Sequence, residues 1–165
     1  KHHGARLTPA GEKVALEMLR HHRLLEMYLV EILGYDWGQV HHEADRLEHV
    51  ISEDFEARID KVLGYPTHDP HGDPIPDPDL VLPERPSLRL VDLDCGETAM
   101  IHRVYSKDSE MLRYLAQLGL LPNTMLTILE KTPFDGNLRI KLLESQQIII
   151  LGPVITEQIF VERIR

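Results

Sequence analysis

The sequence predicts an α+β chain: a helical domain, a proline-rich joint, and a small β-barrel. Three observations carry this. Up to Gly64, apolar residues recur at spacings of three, four and seven, with capping residues at the segment ends. Seven of the eleven prolines then fall between Pro66 and Pro86. Beyond them, short runs rich in β-branched residues replace the helical period.

Thr8 followed by Pro9 is an N-cap and first-turn pair, and Met18, Leu25, Leu29 and Ile32 line one face of a helix that Gly34 stops. Asp36 is placed to cap a second helix running through Val40, Leu47 and Val50. Ser52 is placed to cap a third, carrying Phe55, Ile59, Val62 and Leu63 before Gly64. Residues 66–86 repeat Asp-Pro turn signals without any period, which reads as a linker. The runs "SLRLVDL", "TAMIHRVY", "MLTILEK", "LRIKLLE", "QIIIL" and "QIFVERI" read as strands, with Asp135-Gly136 as a hairpin turn. One helix interrupts them, starting near Asp108 or Ser109, presenting Met111, Leu112, Leu115 and Leu118, and ending at Gly119.

Charge and composition narrow the function. The 165 residues carry 27 acidic against 18 basic side chains, a net charge of -9, which repels phosphate backbones and favours cations as guests. The single cysteine, Cys95, precludes an internal disulfide and is compatible with a reducing compartment. No apolar run is long enough for a membrane span and no signal peptide is visible, so a soluble, cytoplasmic chain is expected. "KHHGARLTPAG" opens in what reads as the middle of a strand or loop, and a preceding N-terminal part is expected.

The stretch "HHEADRLEH", residues 41–49, gathers three histidines and three carboxylates. At roughly 100° per residue, and with His41 at zero, Asp45 falls at about 40°, Glu48 at about 340° and His49 at about 80°. All four share one helix face. The first helix carries His22 and Glu26 one turn apart, and a helical hairpin brings the two faces together. Imidazole nitrogens and carboxylate oxygens without thiolate suit divalent manganese, iron, cobalt, nickel or zinc. The same spacing also suits a solvated, salt-bridged helix face, and it leaves both readings open. Asp45 and Glu48 have the form of an acid–base pair, or the cluster could hold a hydrolytic metal, but no nucleophile elbow, phosphate loop or "HExxH" accompanies them. "HDPHGDP", with His68, Asp69, His71 and Asp73, could also hold a metal, although its Pro and Gly spacing reads first as turns.

In order and spacing, "LTPAG", "RHHRLLEMYLVEILG", "VHHEADRLEH" and "DPHGDPIP" resemble the metal-binding and dimerisation domain of the diphtheria-toxin-repressor family of iron- or manganese-dependent transcriptional regulators. "LVDLDCGETAMIHRV" through "LRYLAQLGLLPNT" to the C-terminus is similar to that family's SH3-like domain, of the ferrous-iron-transport A type. The resemblance implies a domain order of residues 1–7 as the end of a winged helix-turn-helix domain missing from this chain, 8–65 as the helical metal-binding and dimerisation domain, 66–86 as the linker, and 87–165 as the SH3-like domain.

The resemblance further implies one metal site of His22, Glu26 and His41 and another of Asp45, Glu48 and His49, the latter lacking an N-terminal ligand. Metal occupancy would orient the missing domain so that a homodimer binds operator DNA and represses uptake genes. Asp45 stands where iron-type members carry cysteine, which favours Mn2+ over Fe2+. The Glu and Gln that the SH3-like domain of iron-type members lends to the first site have no match around Arg103 to Ser106; either Asp108 or Glu110 substitutes, or the domain does not ligate at all. Arg23 matches an arginine beside an anion, or else serves in a helix-surface salt bridge. The expected molecule is thus a non-enzymatic, dimeric, metal-dependent repressor without a membrane partner. A metal-dependent hydrolase and a non-catalytic SH3-like interaction module are the alternatives. Tyr28, Leu29, Trp37, Ile51 and Phe55 are the surplus apolar residues expected to face the second protomer.

Overall fold

The structure is a computed structural model and describes residues 6–164. Most of the expected remnant at residues 1–7 lies outside the described residues. The chain forms two compact units. One runs through Asp69 and includes Pro74–Glu84; the other comprises Pro70–Asp73 and Arg85 onward.

In the first unit, α1 spans Pro9–Glu31, α2 Val40–Leu47 and α3 Glu53–Val62. The Thr8 hydroxyl accepts from the Gly11 amide at 3.1 Å, and Pro9 fills the first turn, where no amide donor is needed. At the far end Gly34 adopts φ +71°, which lets the Tyr35 amide turn back to the Leu29 carbonyl at 2.9 Å. Ser52 caps α3 through the Phe55 amide.

Leu24, Leu25 and Leu29 of α1 pack with Val40 and Ala44 of α2 and Ile59 of α3. Each fully buried leucine contributes about 1.5–3 kcal/mol, so this stripe holds the three helices together. Leu29 therefore belongs to the core, not to a partner-facing surface, whereas Phe55 is exposed.

The second helix differs from expectation. It has two turns only: Asp36 accepts from the Gly38 amide in a preceding turn, Gln39 is the N-cap position, and the helix ends at Leu47, leaving Val50 exposed. An Asp that closes a local turn is no longer free to cap.

The proline-rich segment is also not wholly a solvated linker. Ile75 is buried in the helical core, and its amide donates to the Thr67 carbonyl. Arg20 donates to the Pro76 carbonyl at 2.7 Å and Arg23 to the Pro74 carbonyl. Guanidinium groups of α1 thus satisfy carbonyls that no sheet or helix ladder reaches.

The second unit is an antiparallel sheet of order β4-β3-β2-β1-β5, with β1 Thr98–Val104, β2 Met125–Lys131, β3 Leu138–Leu142, β4 Ile148–Leu151 and β5 Ile159–Arg163. Strand alternation buries Leu126 and Ile128 on β2, Leu138, Ile140 and Leu142 on β3, and Ile149 and Leu151 on β4. Between β1 and β2, α4 (Ser109–Gln117) starts at the Asp108 cap and buries Leu112 and Leu115. Gly119 at φ +74° follows it.

Two details were not anticipated. "SLRLVDL" forms a 3-10 turn at Leu90–Asp92 rather than a strand, because the Asp92 carboxylate accepts the Arg89 amide and draws the backbone round. A short α5, Pro153–Thr156, precedes β5.

Register shifts at Ile101/Arg103 against β5 and at Ile128/Glu130 against β3. The first has a consequence for side-chain direction. Ile101 pairs with Val161 and Val104 with Ile159, all four buried, so the extra residue His102 turns Arg103 to the other face, opposite Phe160.

Candidate metal centre

His22 and Glu26 lie on consecutive turns of α1, and the Leu24/Leu25 stripe beside them fixes which way that face points. Packing of α2 on α1 brings His41 to them. His22 Nε2 stands 3.1 Å from Glu26 Oε1 and 3.3 Å from His41 Nδ1, and the Glu26 carboxylate also meets His41 Nδ1. The two imidazoles lie nearly parallel, with centroids 5.6 Å apart. Glu26 is fully buried and the histidines are partly so. His22, Glu26 and His41 each offer a donor atom within 4.8 Å of the others.

The second expected set is assembled differently. His22 Nδ1 lies 2.7 Å from Glu48 Oε2 and 3.3 Å from Asp45 Oδ1, so the convergent group is His22, Asp45 and Glu48, again within 4.8 Å. His49 Nε2 reaches Glu48 Oε1 at 3.3 Å, but its side chain is 68% exposed, beyond the end of α2. The helical arc expected from spacing fails at this residue because α2 ends at Leu47, two residues before it. Among the described residues His22 therefore belongs to both groups, with one ring nitrogen in each.

A polar network backs the cluster. Arg20 reaches Glu56 at 2.6 Å and Asp60 at 2.5 Å on α3, His21 Nε2 reaches Glu56 at 2.7 Å, and His21 Nδ1 lies 3.2 Å from the Glu48 carbonyl. Glu48 is thus held at the end of a helix too short to position it alone. Arg23, expected at an anion or a surface salt bridge, is buried; it is bound to the Pro74 carbonyl and lies 3.6 Å from Asp69.

Asp69, a candidate ligand within "HDPHGDP", belongs to neither expected metal set. It is buried, and one of its oxygens lies within 4.8 Å of a Glu26 oxygen. The Asp-Pro step inside "HDPHGDP" was the available signal, and it reads equally as a turn. Asp108, considered as a ligand, accepts the Glu110 amide at 2.8 Å as the cap of α4.

The electrostatics follow from this crowding. Burial by itself would lower the His22 pKa, but hydrogen bonds and charge from Glu26 and Glu48 outweigh it and raise the pKa from 6.5 to about 9. The hydrogen bond to Glu26 raises that of His41 against burial. Burial would raise Glu26, yet both histidines hold it down at about 2. Without metal, protons on the imidazoles neutralise the buried carboxylate. Nitrogen and oxygen donors this close together, with no thiolate, are a donor set that fits a divalent cation of intermediate to hard character.

Comparison with known proteins identifies the family. Residues 8–77 match the model of the iron dependent repressor, metal binding and dimerisation domain, and residues 88–163 match that of the FeoA domain. The iron-dependent repressor IdeR of Mycobacterium tuberculosis is 37% identical over 142 residues, covering 79% of this chain and 61% of its own. The diphtheria toxin repressor of Corynebacterium efficiens is 34% identical over 135 residues, covering 76% and 59%.

The chain thus spans about three fifths of the length of the curated relatives it matches. Among solved structures, a manganese-dependent transcriptional repressor in complex with manganese superposes with a TM-score of 0.90 at 40% identity, covering 99% of this chain and 77% of that one. ScaR with bound Cd2+ gives 0.79 at 34% identity, covering 96% and 73%. With both domain models matched in order, and a neighbour at 40% identity covered over most of its length, the chain belongs to the family of iron- and manganese-dependent repressors that includes the diphtheria toxin repressor.

Proposed function

We propose that this chain is the sensing part of a metal-dependent transcriptional repressor, responding to divalent manganese or iron in the cytoplasm and acting as a homodimer on operator DNA through a winged helix-turn-helix domain outside these residues. The observation that carries it is the convergence of His22, Glu26 and His41 within 4.8 Å on two packed helices. These three residues would hold one cation. Asp45 and Glu48 with His49 would hold a second, and the contact of His22 Nδ1 with Glu48 makes the two dependent on each other.

A bound dication supplies fixed positive charge in place of the imidazole protons. To hold it, His22 and His41 would each release a proton while Glu26 stayed ionised, and the shared ligands would hold α1 and α2 in one arrangement. That arrangement favours the DNA-competent dimer by population shift, provided its metal affinity exceeds that of the alternatives by a few kcal/mol. Asp45 as a hard oxygen donor supports manganese as the preferred ion. The matched relatives are named as repressors, and no observation favours the hydrolase or the interaction-module alternative.

Titration of Mn2+ into this chain, followed by calorimetry or paramagnetic resonance, tests the reading. One stronger and at most one weaker event are expected. His22→Ala removes the stronger, Asp45→Ala affects mainly the weaker, and Asp45→Cys moves preference toward softer ions. Unchanged binding in His22→Ala would overturn the assignment.

A further inference from the structure

Away from the metal cluster, the sheet unit carries a cationic cavity of about 360 Å³ lined by Arg85, Arg89, Arg103, Tyr105, Glu157 and Phe160. Its centre is Arg103, which the bulge at His102 turns out of the hydrophobic core to face Phe160. The guanidinium carbon lies 4.0 Å from the Phe160 ring centroid and 5.4 Å from that of Tyr105. Stacking on aromatic faces fixes the plane of the group while leaving its edges to be hydrogen-bonded.

Those edges are unequally used. Nη1 donates to Asp73 at 3.0 Å, whereas the buried Nε has no hydrogen-bond partner among the described residues, and the residue as a whole is only 6% exposed. An arginine cannot neutralise itself by losing its proton, and a buried donor left unmade costs about 1–3 kcal/mol. The edge that remains, Nε with Nη2, is the fork that takes two oxygens of one anion.

The neighbours point the same way. Arg85 shares Asp73 with Arg103, at 3.5 Å, and Arg89 enters no ion pair among the described residues. Three guanidinium groups and one carboxylate, Glu157, thus line the cavity, and even with Asp73 paired to two of the arginines it keeps a net positive charge in a chain whose total is -9. The aromatic walls and the volume leave room for more than a bare ion.

We propose that this cavity is a binding site for a small organic oxyanion, a carboxylate or phosphate group on a compact apolar body, gripped by Arg103 and Arg89 and seated against Phe160 and Tyr105. The site lies wholly in the sheet unit and does not rest on the metal reading. Glu157 at its rim sets the selectivity: it disfavours anions that carry a second charge toward that side.

The test uses the full chain, free of metal, with the arginine Nε–H resonances followed by ¹H–¹⁵N NMR. Acetate, benzoate, inorganic phosphate and phenyl phosphate are titrated separately at constant ionic strength. A saturable shift of the Arg103 Nε–H signal is expected, stronger for the aromatic member of each pair. The arm that binds more tightly identifies the anionic group. Arg89→Gln, which removes one charge at an exposed position, should weaken binding about tenfold. Glu157→Gln should tighten it. The proposal is overturned if none of the four anions gives a saturable shift through the millimolar range, or if Arg89→Gln binds as the unaltered chain does.

Discussion

The Nδ1 atom of His22 lies 2.7 Å from Glu48 Oε2, and this joins two ligand groups that spacing along the chain keeps apart. A histidine that ligates through Nε2 needs a partner for Nδ1–H to hold its tautomer and ring plane, and Glu48 stands in that place. Glu48 therefore acts on the first group as well as in the second. Glu48→Gln should lower manganese affinity at the stronger site by about tenfold or more, as changes at such supporting carboxylates do. Calorimetry of the variant reads this; an effect limited to the weaker event would refute it.

The raised pKa values of His22 and His41 make metal binding compete with protons. Between neutrality and about 9, apparent affinity should rise roughly tenfold per pH unit for each proton released. The metal-free chain behaves oppositely. The histidine contribution to stability is fully present below the unfolded pKa of 6.5 and is lost as pH rises through about 9 for His22. Glu26 contributes above its unfolded value of 4.5, and that part is lost as pH falls toward about 2. Manganese titrations and metal-free denaturation across this range check both signs. A manganese affinity that does not change with pH would contradict the proton competition.

Gly72 should tolerate no side chain. It sits at φ +87°, and a Cβ there would come within 2.0 Å of the His102 carbonyl oxygen and 2.8 Å of Arg103 Cα, both backbone atoms. Gly72→Ala should destabilise the sheet unit by about 2–4 kcal/mol and shift the neighbouring Asp73 from Arg103. Denaturant unfolding followed by a probe in that unit measures the loss. A change under about 0.5 kcal/mol, the range of ordinary surface substitutions, would show that the backbone there yields easily.

Self-association should be visible in sedimentation. Tyr35, Val50, Phe55 and Val62 of the small helical unit remain exposed, and a unit of this size leaves apolar area that a symmetric partner can cover. A dimer at micromolar concentration is expected, and Phe55→Glu should shift it toward monomer. Monomer alone, with and without manganese, would count against the homodimer.

Local chemistry was legible without coordinates. Thr8, Ser52 and Asp108 cap helices by short-range hydrogen bonds, Gly119 follows α4 with a positive φ, and five of the six apolar runs became strands, because each outcome depends on neighbours within a few residues. The pairing of His22 with Glu26 one helical turn away belongs to the same class. What tertiary structure decided depends on distant partners. Arg20 and Arg23 draw Pro76 and Pro74, more than fifty residues away, into the helical core, and a segment that reads as linker delivers Asp69 to the Glu26 carboxylate. The end of α2 removes His49 from the helix face, and the bulge at His102 chooses which side of the sheet receives Arg103. Periodicity records which face an element can bury; the packed neighbours alone determine where that element stops, how its register slips and which polar groups must then find each other.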